Sequence, residues 1–98
     1  MKIYFDWDNN NIKHLFEENS ERELTIEEIE SVFYDKNSII EESTLNSLLK
    51  EKRFKCLGKS VNNKLIIVIF TITAMKLRPI TAWQTSKKKY IKLYENER

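Results

Sequence analysis

The residues best suited to chemistry are cationic and lie late in the chain. Arg78 stands in Leu77-Arg78-Pro79-Ile80, and Lys87, Lys88 and Lys89 follow Thr85-Ser86. The pattern predicts a short strand bearing one arginine, a tight turn, and a helix with three lysines in its first turn. A helix N-terminus carries partial positive charge and unpaired N–H groups, so each cation there costs about 0.3–1 kcal/mol. Lysines placed behind a Thr-Ser cap signal mark an anion-binding corner, with phosphate the obvious anion. The plain alternative is a solvated helix start. With Arg53 and Lys55 on a neighbouring strand, the lysines Lys87 and Lys88 would give a basic surface for a phosphodiester chain. RNA carries its own nucleophile in the 2′-hydroxyl, so cleavage requires positioning, charge stabilisation and proton transfer. Arg78 has the planar fork that clamps a phosphate. His14 is the side chain whose unperturbed pKa lies nearest neutrality, which makes it the candidate acid or base. Tyr90 or Tyr94 would stack on a base or donate a hydrogen bond, unless the pair serves only packing, and Tyr90 joins Arg78 and His14 as a catalytic candidate.

Other chemistries find little support. One His and one Cys in distant elements do not make a ligand set for a metal, and no cofactor motif is present. Cys56 alternates in phase with Phe54 and reads as a core residue. Gly58-Lys59-Ser60 lacks the earlier glycine of a phosphate loop and reads as a strand-end turn.

The elements that must position these residues fit one α+β domain spanning 1–98. With 41% apolar and 33% charged residues the composition is that of a globular protein, and one Gly and one Pro leave no room for linkers. The longest apolar run, Leu65–Phe70, is too short to span a bilayer, so no membrane is expected. Nothing at the N-terminus resembles an export signal, and Cys56 is alone, so a cytoplasmic setting is expected. Residues 1–51 hold five Lys/Arg against thirteen Asp/Glu, whereas residues 52–98 hold twelve against two. Such a split suits a polar molecule with one face for a polyanion, although the halves could also neutralise each other.

Along the chain, Lys2–Trp7 alternates as a half-buried strand with Ile3, Phe5 and Trp7 on one side. Asp8 caps a helix reaching about Asn19, on which His14 lies away from the Ile12/Phe16 stripe. Thr25 and Glu28 form a capping box, with Leu24 and Ile29 as its hydrophobic staple. Ile26, Ile29, Val32 and Phe33 then give a buried stripe opposite an acidic face of Glu27, Glu28 and Glu30. A short strand at Ile39-Ile40 follows, and Ser43–Lys50 reads as a turn of helix or a loop. Arg53–Leu57, Lys64–Thr73 and Leu77–Trp83 make an antiparallel meander. The middle strand is apolar on both faces and hence central, and Pro79 consigns the last to an edge or a bulge. A final helix packs Tyr90, Ile91 and Tyr94 against the sheet.

Phe5-Asp6-Trp7-Asp8-x-x-Asn11-x-x-His14, Thr25-Ile26-Glu27-Glu28, Lys52-Arg53-Phe54-x-x-Leu57-Gly58, Arg78-Pro79-Ile80-Thr81-Ala82 and Ser86-Lys87-Lys88, in that order, resemble the BrnT toxin family. The resemblance implies a RelE-like fold and RNA cleavage without a metal. It also implies neutralisation by a BrnA-like antitoxin, with operator DNA bound only through the antitoxin complex. The chain departs from the pattern at Trp83, at Lys89 and in Asn19–Leu24, which bears on catalytic strength rather than on fold. The alternative from another class is a non-catalytic nucleic-acid- or protein-binding module on the same fold.

Overall fold

A computed structural model describes residues 2–43 and 52–96. The sheet is a four-stranded antiparallel meander, β1 (Ile39–Ser43), β2 (Arg53–Lys59), β3 (Leu65–Thr73) and β4 (Lys76–Gln84), in that spatial order. Ahead of it come α1 (Asn9–Ile12), a π-helical segment (Lys13–Glu18), a 3-10 turn (Ser20–Arg22) and α2 (Ile26–Val32); α3 (Lys88–Asn96) follows it. The expected α+β class holds, and so does the order of the meander and the last helix. The expected helix or loop after Ser43 falls on residues 44–51, outside the described residues.

Two cores sandwich the sheet. Cys56, Ile66, Val68, Phe70 and Ala82 face Leu15, Leu24, Ile29 and Val32 of the N-terminal helical layer. On the other face Leu57, Leu65, Ile67 and Ile69 meet Tyr90, Leu93 and Tyr94 of α3. β3 supplies both cores, which is why its sequence shows no alternation. Ile91 and Ile26 are less buried than their stripes suggested, at 36% and 38% exposed.

The capping box at Thr25 and Glu28 forms with both reciprocal bonds. Glu28 is nevertheless not on an exposed acidic face. Its Oε2 accepts from Asn62 Nδ2 at 2.6 Å and sits 2.8 Å from Lys64 Nζ, tying α2 to the β2–β3 hairpin. Asp35 does the same for α3: its Oδ2 accepts from the Tyr94 hydroxyl at 2.6 Å and from the Lys59 N–H at 2.8 Å. Gly58 lies inside β2 rather than in a turn. A β-carbon there would come within 3.0 Å of Val32 Cγ1 and 3.1 Å of the Val32 carbonyl oxygen, so glycine lets α2 approach the sheet.

The largest departure from expectation is at the start. Residues 2–7 are not a strand; only Phe5 makes a bridge, parallel, to Leu77. Leu77 N–H donates to Tyr4 O at 2.8 Å and Asp6 N–H to Leu77 O at 2.9 Å. The next parallel bond would need an N–H on Pro79, which has none. Asn11 replaces it. Its Nδ2 donates to Asp6 O at 2.9 Å and to Pro79 O at 3.0 Å, while its Oδ1 accepts from Asp8 N–H at 2.8 Å. The carboxamide thus stands in for the missing peptide group. Ile3, Phe5 and Trp7 still pack on the helical-side core, as their spacing required.

Asn11→Ala is expected to destabilise the chain by about 1–3 kcal/mol for each buried backbone group left unpaired. Gly58→Ala is expected to cost about 1–3 kcal/mol through overpacking against Val32. Urea unfolding followed by tryptophan fluorescence measures both, and wild-type midpoints would contradict the two contacts.

Candidate active site

Arg78 lies near the start of β4, one residue before Pro79. Its Nη1 and Nη2 donate to Asp8 Oδ2 at 2.8 Å and to Asp8 Oδ1 at 3.1 Å, a bidentate pair, and Nη1 is 3.5 Å from Asp6 Oδ2. Asp8 also fulfils its expected capping role, accepting from the N–H groups of Asn10 and Asn11. One carboxylate therefore both starts α1 and aims the guanidinium. Beside this pair is an open cleft of about 230 Å³ lined by Asn10, Asn11, His14, Arg78 and Ile80. The fold brings His14 and Arg78 together across 64 residues of sequence, as the separation of those two numbers gives.

His14 lies in the π-helical segment Lys13–Glu18 that continues α1, a form common at functional sites. Its Nδ1 lies 3.5 Å from Glu18 Oε1, in a half-exposed i,i+4 pair. Ile80 reaches it because the β3–β4 register slips between Ile69 and Phe70, a bulge beside the proline.

The other expected residues sit on the α3 side of the sheet. Phe54 pairs with Phe70 and Thr71 with Arg78, so the register carries Arg53 and Arg78 to either side of Thr71. Two strand spacings separate them, about 10 Å. The Thr71 hydroxyl between them is buried and finds no partner among the described residues. Lys55, two residues beyond Arg53, lies 3.0 Å from Glu41 and 5.7 Å from the ring centre of Tyr90. Lys89 lies over the same ring at 4.9 Å, and Tyr90 is not among the described residues that line the His14–Arg78 cleft. Lys87 and Lys88 are exposed at the start of α3, beyond the far end of β4. The strand from Arg78 to Gln84 spans about 20 Å. Thr85 Oγ1 accepts from Lys87 N–H at 3.2 Å, a turn just ahead of the helix. The first helical bonds, from Tyr90 and Ile91 N–H, go to the Lys87 carbonyl, so Lys87 stands at the cap and not Thr85 or Ser86 as expected.

Sequence reasoning missed Asn11, the acidic partners of Arg78, and Arg22. Arg22 Nη1 donates to Thr81 Oγ1 and to the Ala82 carbonyl, both at 3.0 Å, closing more of the open β4 edge. A signal existed for Asn11: it stands three residues after the capping Asp8, where a side chain returns a bond to the cap.

A family model described as "Ribonuclease toxin, BrnT, of type II toxin-antitoxin system" matches residues 7–89, which include the whole cleft. The chain belongs to the BrnT family. A search of curated proteins finds no match. Membership makes this a toxin family protein of the ribonuclease class, with RNA as substrate and an antitoxin protein as partner. Among the described residues no helix is long and apolar enough to cross a membrane, and no three His, Cys, Asp or Glu side chains gather as a metal site.

Several ionisable groups are shifted by this architecture. The hydrogen bond from Arg78, then that from Asn11 N–H, holds the Asp8 carboxyl below its usual value. Burial pushes Glu28 and Asp35 up, but hydrogen bonds from Lys64 and Asn62, and from Lys59 N–H and Tyr94, outweigh it and leave both lowered. Burial pushes the Cys56 thiol up to about 12, so it is an inert core group and not a nucleophile. A lowered carboxyl adds stability that is complete above its unfolded pKa, about 4, and is lost as pH falls through the folded value. Melting temperatures are therefore expected to be insensitive to these groups between about pH 5 and 7 and to drop below about pH 4. Glu28→Gln keeps the shape without the charge and is expected to show a shallower acid limb. An unchanged acid limb would contradict the role given to Glu28.

Proposed function

We propose that this chain cleaves RNA without a metal, in the His14–Arg78 cleft, on a RelE-like scaffold, and that a BrnA-like antitoxin neutralises it as a complex. On this reading operator DNA is contacted only through the antitoxin. The observation that carries the proposal is the meeting of His14 and Arg78 in one cleft, since they are the imidazole and the guanidinium that such a cleavage requires. In the step proposed, the 2′-oxygen forms a bond to phosphorus as its proton passes to His14. The bond from phosphorus to the 5′-oxygen breaks, and that oxygen takes up a proton from water. Arg78 stabilises the charge that grows on the non-bridging oxygens. Its fork is presented by Asp8, and the incoming phosphate competes with that carboxylate for the same N–H groups. Arg53 and Lys55 extend the phosphate path across the sheet, Tyr90 stacks on a base, and Lys87 and Lys88 hold the strand further along.

One observation favours the non-catalytic module instead. Arg78 is already engaged by Asp8 and Asp6, and Lys55 by Glu41. A protein whose cations stay so paired would bind RNA through the remaining lysines, with a steep salt dependence and no strand scission.

Incubating the purified chain with RNA in excess chelator separates the two readings. Cleavage leaving 2′,3′-cyclic phosphate ends is expected. Arg78→Ala should lower the rate by about 10²–10³-fold and His14→Ala by about 10²–10⁴-fold, with circular dichroism unchanged. Wild-type rates in His14→Ala would remove His14 from the mechanism. Binding without cleavage would establish the module.

A further inference from the structure

An apolar groove of about 470 Å³ opens on the helical side of the sheet, at the end where β3 turns into β4. Tyr4, Ile40, Phe54, Ile72 and Met75 are among its walls. Its floor is aromatic: Phe70 is buried, stacked on Phe54 at 5.6 Å and edge-on to Phe33 at 5.0 Å. Ile72 is 58% exposed and Met75 92% exposed, so this apolar surface meets water in the free chain. Met75 is also held in a left-handed conformation, φ 66°, beside Ala74 at φ 51°. A tight hairpin of this kind favours Asn and Gly at both positions. An exposed methionine kept where asparagine would sit more comfortably points to use at a surface.

The only charged side chains among the described residues lining the groove are Lys2 and Lys76. A second copy of the chain is a poor occupant, because a two-fold interface would set these lysines against their own counterparts. RNA is equally poor, since the walls offer hydrocarbon and aromatic edges to a chain of phosphates. The surface fits a protein segment with large apolar side chains flanked by carboxylates. We propose that the groove is the docking site for such a segment of the antitoxin. This inference rests on the toxin–antitoxin reading. The groove shares the Lys2–Tyr4 segment with the chain that runs on through Asp6 to Asp8, so its occupant sits against the segment that leads to the carboxylate aiming Arg78.

The test uses the protein encoded by the adjoining reading frame, co-expressed and purified with this chain, and titrated calorimetrically against chain variants. Met75→Asn is expected to melt at or above the wild-type temperature yet bind at least 10-fold more weakly. Ile72→Thr and Lys76→Glu are expected to weaken binding similarly while leaving the melting temperature within two degrees or so of wild type. RNA cleavage by the three free variants should equal that of the wild type, which tests the ribonuclease reading separately. Affinities within twofold of wild type, or no complex with the wild type, would overturn the proposal. So would a wild-type dimer in sedimentation that Met75→Asn disperses, which would assign the groove to a second copy. A fall of many degrees in the melting temperatures of Met75→Asn and Ile72→Thr alike would overturn it too, because the groove would then belong to the chain's own core.

Discussion

The constraint on which the cleft depends is a missing hydrogen. Pro79 cannot donate to Asp6 O, so a parallel ladder between the N-terminal segment and β4 must stop after one bridge. The carboxamide of Asn11 fills the gap, and in doing so brings the start of α1 against the edge of the sheet. Asp8 arrives beside Arg78 for that reason, and His14, one turn further on, arrives over the same strand. A continuous ladder would have carried the segment straight along β4 and left no notch. The proline that ends the pairing and the asparagine that repairs it are thus two halves of one device.

Electrostatics explain how a chain with so uneven a charge distribution folds. The acidic front half and the basic rear half meet through Arg78 with Asp8 and Asp6, Lys55 with Glu41, and Lys64 with Glu28. Pairs at the surface contribute about 0–1 kcal/mol each, so their service is placement more than stability. The Glu28–Lys64 pair differs, because Glu28 is buried and completes a helix cap with its other oxygen. Lys87, Lys88 and Lys89 remain exposed where α3 begins, and there the rear half keeps its cationic character.

Much of this was legible in the residues. The two-sided apolarity of Leu65–Thr73 placed the central strand, Thr25 and Glu28 placed α2, and Pro79 announced an edge or a bulge, of which the strand has both. Alternation in Lys2–Trp7 identified the correct buried face but could not reveal that the ladder fails, because that depends on a residue more than seventy positions away. The pairing of Arg78 with Asp8 was hidden for the same reason. The position of His14 off the Ile12/Phe16 stripe was legible too, but its meeting with Arg78 depends on the same distant strand. Gly58 resembles a turn residue in the sequence because nothing local shows that α2 presses on that strand.

The long sequence separation between Asn11 and its acceptor on Pro79 has a consequence for synthesis. A polypeptide leaves the ribosome N-terminus first, so Asp8, Asn11 and His14 emerge long before the strand that completes their arrangement. Until β4 is released and seated, the imidazole and the guanidinium share no cleft, and an unfinished chain carries the parts of the device without the device. The cleft can therefore close only near the end of the chain's own translation.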